Sequence, residues 1–203
     1  MRKIGQNAVR IGAALVALIL VSATLLGWVY LRDDGGVTKV AEIGGPFALV
    51  DHHGKSVTDR DYLGKPTLVF FGFTNCPNVC PSTLLEITNQ LEELGPDADR
   101  LNVLFITVDP ERDTPQQLAL YLSSFDPRIT GLSGAPENVF AAMNAYHIYA
   151  KKVPLKDGGY TMDHTATIAV MNSKGQYIDA MHYQASSATT RAKLHRLLGL
   201  GNS

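Results

Sequence analysis

Residues 67–94 read TLVFFGFTNCPNVCPSTLLEITNQLEEL, and this stretch decides the fold. It opens with a short, continuous apolar run at 67–73, which is typical of a strand buried on both faces of a sheet. Between residues 83 and 94 the apolar side chains recur at helical spacing, and we predict a helix that begins at the cysteines. Pro77 and Pro81 fit the first turn of this helix, because their missing N–H groups would have no partner there.

Strands and helices continue to alternate on both sides of this stretch. Residues 102–108 (NVLFITV) predict a second buried strand, and Thr114 with Pro115 predicts the start of another helix. The remaining predicted elements are strands at 46–50, 56–58, 165–171 and 176–181, and helices at 137–146 and 189–198. This order predicts an α/β domain with a thioredoxin-like fold, an N-terminal β-hairpin extension, and parallel core strands joined by right-handed crossovers.

The N-terminal region carries an uncharged apolar run at residues 11–31, IGAALVALILVSATLLGWVYL. About 20 such residues in a helix span the hydrocarbon core of a bilayer, and Arg2, Lys3 and Arg10 precede them. We therefore predict a cytoplasmic N-terminus at 1–10, a transmembrane helix at 11–31, a tether at 32–45 and an exported domain at 46–200. A cleaved signal peptide is the alternative, because Val21-Ser22-Ala23 resembles a small-residue cleavage site.

The segment before the apolar run is not the Arg-rich and Ser-rich sequence of a mitochondrial transit peptide. We therefore expect a bacterial inner membrane protein with a single transmembrane helix and a periplasmic C-terminal domain. The mitochondrial inner membrane, with the domain facing the intermembrane space, stays open as the alternative.

Charge and cysteine content narrow the function classes. The formal net charge of the 203 residues is -1, so the chain lacks the positive field that binds nucleic acid. Cys76 and Cys80 are the only two cysteines, and they lie one helical turn apart. Such a pair cannot join distant parts of a fold, and it favours redox or metal chemistry.

The Cys-x3-Cys spacing suits both of these chemistries. Positions i and i+4 of a helix share one face at about 6 Å of rise, which a disulfide or a shared metal can bridge. At the N-terminus of a helix the dipole and the free N–H groups stabilise a thiolate, which is both a nucleophile and a ligand. Two inert core thiols, or a purely structural disulfide, are the alternative reading.

A metal held by Cys76 and Cys80 needs a third ligand, and six histidines compete for that place. His164 directly precedes the strand predicted at 165–171, in the loop that faces the cysteine helix in thioredoxin-like folds. Two sulfurs and one imidazole suit Cu(I), with zinc next, and Cu(II) stays open as a second state of the bound copper. Asp109 follows a predicted strand and is either an acceptor near the ligands or an ordinary turn or capping residue.

The motifs TNCPNVCP at 74–81, VDPERDTP at 108–115 and DHT at 163–165 together resemble the Sco/SenC family. The resemblance runs from about Gly45 to Leu198. It implies a thioredoxin fold, copper bound by Cys76, Cys80 and His164, and copper delivery to, or thiol reduction of, the CuA centre of cytochrome c oxidase. The oxidase subunit that carries CuA is the partner expected from this resemblance, alongside other periplasmic copper or thiol proteins. Asp163, next to His164, is a further candidate for supporting the ligands.

Two functions from different classes therefore compete. The first is a membrane-anchored copper metallochaperone. The second is a thiol-disulfide oxidoreductase that uses Cys76 and Cys80 on partner cysteines. The sequence favours the first, because thioredoxins space their cysteines by two residues and carry a proline near the position of His164. A peroxidase of the peroxiredoxin type is the weakest alternative.

Overall fold

The computed structural model describes residues 16–28, 43–156, 158–182 and 186–200. Residues 16–28 are helical and form α1. The transmembrane helix predicted at 11–31 begins and ends outside these described residues. Within the described ranges, no helix combines the length and the apolar character that a membrane span needs.

The domain is built on one seven-stranded sheet with the order β2-β1-β5-β4-β3-β8-β9. The strands are β1 Ala48–Asp51, β2 Ser56–Thr58, β3 Thr67–Gly72, β4 Asn102–Thr107, β5 Ile129–Ser133, β8 Thr167–Met171 and β9 Tyr177–His182. Strands β3, β4 and β5 are parallel, whereas the pairings β1–β2, β1–β5, β3–β8 and β8–β9 are antiparallel. This mixed sheet, with helices between its parallel strands, confirms the predicted thioredoxin-like α/β fold.

The burial of the central strand β3 explains why its apolar run predicted a strand so clearly. All six of its residues are buried, and the register pairs Thr67 with Asn102 of β4 and with Met171 of β8. Phe70 of β3 and Phe105 of β4 are fully buried, with ring centroids 5.8 Å apart. A strand with neighbours on both sides and no exposed face needs a continuous apolar sequence.

Four helices follow α1, and they are α2 Val79–Leu94, α3 Pro115–Leu122, α4 Pro136–Ala145 and α5 Ser187–Leu198. Two short 3-10 helices lie at Asp59–Tyr62 and Gly95–Arg100. Helix α2 buries Leu84, Ile87 and Leu91, as the helical spacing predicted. Thr114 caps α3, accepting a hydrogen bond from the backbone N–H of Gln117 at 3.2 Å.

The structure corrects the prediction in two places. Strand β5 was not predicted, because its sequence ITGLS is short and lacks an apolar run. A separate two-stranded sheet, β6 Ala150–Pro154 and β7 Tyr160–His164, lies where a loop was expected. Most of β6 is exposed and rich in lysine, so it carries no burial pattern to recognise. His164 is therefore the last residue of β7, and the next strand begins at Thr167.

Candidate metal centre

The site begins where β3 ends and the chain turns into α2. The backbone N–H of Cys76 donates to the carbonyl of Phe73 at 3.2 Å, which closes a tight turn before the helix. Cys76 is half-buried, whereas Pro77 and Asn78 beside it are exposed. This turn places the first sulfur at the surface, beyond the carboxyl end of the central strand, where ligands of open α/β sheets bind.

Cys80 lies in the first turn of α2 and is fully buried. Its backbone N–H donates to Sγ of Cys76 at 3.4 Å, so the start of the helix supports the sulfur of the other cysteine. Gly72 makes room for Cys80, because a Cβ at position 72 would lie 2.8 Å from the Cys80 Sγ. The second sulfur is thus held in a close-fitting cavity behind the first.

His164 reaches the cysteines from the end of β7. Its Nε2 lies 3.7 Å from Sγ of Cys80, and its Nδ1 lies 2.9 Å from the carbonyl oxygen of Thr165. A carbonyl can only accept a hydrogen bond, so Nδ1 carries the proton and the lone pair of Nε2 is directed toward the sulfurs. Fixing the second ring nitrogen in this way is typical of histidines that bind metals.

The three ligand atoms form one cluster. Sγ of Cys76, Sγ of Cys80 and Nε2 of His164 all lie within 4.8 Å of one another. Metal–sulfur bonds of about 2.3 Å and metal–nitrogen bonds of about 2.0 Å place ligand atoms roughly 3.5–4 Å apart. The cluster therefore needs only a small contraction to surround one soft ion. It is the one group of three or more potential ligands in the part of the chain that the structure describes.

The two thiols differ strongly in acidity. A hydrogen bond from the Cys80 thiol, helped by the backbone N–H groups of Cys80 and Asn78, lowers the pKa of Cys76 to about 4. The same hydrogen bond, together with burial, raises the pKa of Cys80. Both cysteines are free thiols. At neutral pH Cys76 is therefore a thiolate at the surface, and Cys80 is a protonated thiol behind it.

A buried carboxylate supports the cysteine turn from below. Asp113 is fully buried and accepts hydrogen bonds from Oγ1 of Thr107 at 2.7 Å and from Oγ1 of Thr74 at 2.6 Å. It also accepts from the backbone N–H of Thr74 at 3.1 Å. Burial raises the pKa of Asp113, while these donors act in the opposite direction. Asp113 thus fixes the residue that lies two positions before Cys76.

The two carboxylates predicted near the ligands have different roles. Asp109 is buried, and its carboxylate accepts hydrogen bonds from Arg112 and from the hydroxyl of Tyr160. It does not belong to the ligand cluster. Asp163 is exposed, and in the register of the β6–β7 hairpin it lies opposite Lys151. Support of the ligands by Asp109 and by Asp163 stays a prediction.

The sequence prediction did not identify Phe73, Gly72, Asp113, Arg112 or Tyr160 as parts of the site. The charged residues of the VDPERDTP motif follow β4, at the same sheet edge as the cysteines, and this position is the signal that could have found two of them. His52 and His53, which belong to none of the three motifs, lie in the β1–β2 turn with ring centroids 3.9 Å apart. Nδ1 of His52 accepts a hydrogen bond from the backbone N–H of Gly131 at 3.0 Å.

Known proteins are similar to this chain in sequence and in fold. The SCO1/SenC family model matches residues 36–199. A structure of Bradyrhizobium japonicum ScoI with copper bound is 52% identical, with a TM-score of 0.72, and the match covers 76% of this chain and 99% of that one. Yeast Sco1 with copper bound is 35% identical, with a TM-score of 0.72, and the match covers 79% of this chain and 91% of that one.

A curated relative, the mitochondrial SCO2 homolog of Danio rerio, is 37% identical over 190 residues. That match covers 86% of this chain and 68% of the relative, whereas the chain spans about half of the human mitochondrial SCO1 homolog, or 46%. The residues that the family model matches include both cysteines and His164. The chain therefore belongs to the SCO1/SenC family.

Proposed function

We propose that this protein is a membrane-anchored copper metallochaperone that binds copper through Cys76, Cys80 and His164. One observation carries the proposal: two sulfurs and one imidazole nitrogen converge within 4.8 Å, with the imidazole already fixed in the tautomer that binds metals. Two relatives have structures with copper bound, which supports copper as the cargo. A soft set of three ligands is the type that prefers Cu(I).

Three ligands also suit transfer better than storage. A closed structural zinc site normally has four protein ligands, whereas three leave a position that a recipient can occupy. Cys76 and His164 are half-buried ligands, and Cys80 is fully buried. An incoming ligand therefore reaches the metal from the side of Cys76 and His164, while Cys80 holds it from the interior.

The second candidate function, thiol-disulfide exchange, is favoured by the acidity of Cys76. A half-buried thiolate with a buried thiol in hydrogen-bonding contact is the arrangement of an attacking and a resolving cysteine. The two functions share their residues, because copper binding requires the reduced dithiol. We expect copper in the reduced protein and essentially none after oxidation, as measured by metal analysis after gel filtration.

We further propose that residues 11–31 anchor the protein in a membrane and that the domain is exported. The uncharged run of residues, with its flanking basic residues, supports this orientation. A bacterial inner membrane with a periplasmic domain is our preferred location, and several relatives are mitochondrial, which supports the inner mitochondrial membrane as the alternative. We expect the intact chain to resist alkaline extraction from membranes. Recovery of the free domain in the soluble fraction would contradict the anchor.

We propose the CuA centre of cytochrome c oxidase as the recipient, as the family resemblance implies. The experiment that tests the chaperone function is His164→Ala, since it removes the only nitrogen ligand and leaves both thiols in place. The affinity for Cu(I), measured by anaerobic competition with a chromophoric chelator, should fall by more than the roughly 10- to 100-fold typical of changes around a ligand. Oxidase assembly in cells should fail with it.

His182→Ala is the matched control, because His182 is an exposed histidine on β9 outside the cluster. It should retain wild-type affinity for Cu(I). Wild-type affinity in His164→Ala would refute the three-ligand site. Intact oxidase assembly alongside it would make thiol-disulfide exchange the better description of the function.

A further inference from the structure

Arg112 joins two parts of the structure that the sequence does not place together. It follows β4, and its Nε donates to the carboxylate of Asp109. Its Nη1 donates to the backbone carbonyl of Tyr160 at 2.9 Å, and its guanidinium stacks on the Tyr160 ring at 3.8 Å. One side chain thus connects the loop after β4 to the first residue of β7.

Tyr160 completes a closed ring of contacts. Its hydroxyl donates to Oδ1 of Asp109 at 2.9 Å, on the same carboxylate that Arg112 contacts. Asp109 is almost fully buried, with 1% of its surface exposed. Charge-assisted hydrogen bonds to a buried carboxylate are among the stronger polar contacts in proteins. We call these three residues, Asp109, Arg112 and Tyr160, the arginine clamp.

The hairpin that the clamp holds is the one that carries His164. Tyr160 and His164 are the first and last residues of β7, and β7 pairs only with β6 among the described strands. An isolated two-stranded hairpin is marginally stable at best, so its position depends on contacts with the rest of the domain. The clamp supplies such contacts at the end of β7 opposite to His164.

The aromatic ring of Phe73 links the clamp to the ligand itself. Phe73 packs edge-on against the His164 ring, with centroids 5.6 Å apart and an interplanar angle of 86°. The guanidinium of Arg112 lies 5.9 Å from the centroid of the same Phe73 ring. The orientation of His164 is therefore connected to Arg112 both through β7 and through a buried ring.

We propose that Arg112 is a positioning residue for metal binding: the arginine clamp sets the place of β7 so that Nε2 of His164 meets the two sulfurs. This inference rests on the proposed copper site. A lysine at position 112 would keep the charge but not the planar group that contacts a carboxylate, a carbonyl and a ring face together.

The test is Cu(I) binding by the reduced full-length protein carrying Arg112→Lys. We expect the Cu(I) affinity to fall by about 10-fold or more, the range seen when groups that orient a ligand are removed. X-ray absorption of the bound copper should show two sulfur ligands and a weakened nitrogen contribution. Titration should still find two free thiols. Combining Arg112→Lys with His164→Ala should add little to the loss caused by His164→Ala alone.

Arg128→Lys is the matched control. Arg128 also contacts a nearly buried carboxylate, that of Asp126, with two nitrogens, and it also donates to a backbone carbonyl, that of Gly95, at 3.0 Å. Within the described residues, the hydrogen-bond and ion-pair partners of Arg128 are Asp126, Gly95 and Asp99, none of which lies in β7. It should lose stability with unchanged Cu(I) affinity and an unchanged nitrogen signal.

Tyr160→Phe provides a second and milder variant should Arg112→Lys fail to fold. It removes only the hydroxyl that reaches Asp109, and we expect a smaller loss of affinity in the same direction. A wild-type affinity and nitrogen signal in the clamp variants would overturn the positioning role. If the wild-type protein binds copper without a nitrogen ligand, or if His164→Ala keeps the wild-type affinity for Cu(I), the result would instead overturn the proposed copper site on which the positioning role rests.

Discussion

Replacement of Gly72 by alanine tests the close fit of the cavity around Cys80. Gly72 ends β3, and a Cβ there would lie 2.6 Å from Cε2 of Phe105 and 2.8 Å from Sγ of Cys80. Carbon atoms pack best at about 3.5–4.0 Å, so both of these neighbours would lie nearly 1 Å too close. Phe105 and Cys80 are both fully buried, and β3 is hydrogen-bonded to a strand on each side.

Because neither the strand nor the aromatic ring can retreat easily, part of the movement falls on Cys80. Overpacking of a buried site typically costs about 1–3 kcal/mol, and we expect Gly72→Ala to lower the free energy of unfolding by this amount. The displaced sulfur should also lower the affinity for Cu(I). Urea unfolding of the reduced protein and competitive Cu(I) titration measure the two effects separately.

Gly134→Ala is the matched control for this substitution. A Cβ at Gly134 would lie 3.4 Å from Cδ2 of Leu49, which is an ordinary contact, and the backbone there is not left-handed. We expect near wild-type stability and wild-type Cu(I) affinity. If Gly72→Ala matched Gly134→Ala in both measurements, the cavity would be looser than the described geometry, and the reasoning from contact distances would be refuted.

Three further predictions concern the surroundings of the site and the stability of the domain. Asp113→Asn removes an acceptor for Thr74 and should cost about 1–3 kcal/mol of stability and weaken Cu(I) binding, as seen in unfolding and titration. Arg128 lowers the pKa of Asp126, so the stability that this carboxylate contributes is present above the unfolded pKa of about 3.9 and is lost as pH falls through the folded value. The stability difference between wild type and Asp126→Asn should therefore shrink on acidification; a difference independent of pH would contradict it. His147 has a left-handed φ of 54°, a conformation that glycine adopts without steric cost. His147→Gly should therefore stabilise the protein by about 1 kcal/mol, seen as a higher thermal midpoint, with copper binding unchanged.

The parts of the fold with strong local signals could be predicted from the sequence. The apolar run of β3 and the helical spacing of α2 each depend on burial, and the structure has both. Strand β5 was missed because Gly131 interrupts it, and the reason for this glycine is tertiary. A Cβ at Gly131 would lie 2.6 Å from Cδ1 of Leu122 in α3, and no sequence period records such a contact.

The candidate site also contains residues that could be predicted from the sequence and residues that could not. Cys76 and Cys80 are four positions apart, with Cys76 in the turn before α2 and Cys80 in its first turn, so their spacing revealed their proximity. The fold argument added His164. The arginine clamp could not be predicted, because Arg112 and Tyr160 lie 48 positions apart and meet only after the hairpin has formed. For Asp109 the sequence left open a role near the ligands or an ordinary turn or capping role, because its partner Tyr160 lies in β7, an element that was not predicted.

The separation of the ligands along the chain gives the bound ion a second consequence. Cys80 and His164 are 84 positions apart, so a metal that joins them closes a long loop of the chain. A cross-link of this length restricts the unfolded chain by up to about 4–5 kcal/mol. A structural disulfide would keep such a loop closed, whereas a copper ion leaves the loop when it is transferred to the recipient. Under the proposed function, the loaded protein resists unfolding and proteolysis best, and delivery of the cargo leaves it most exposed to degradation. Its lifetime in the cell would then follow the copper supply.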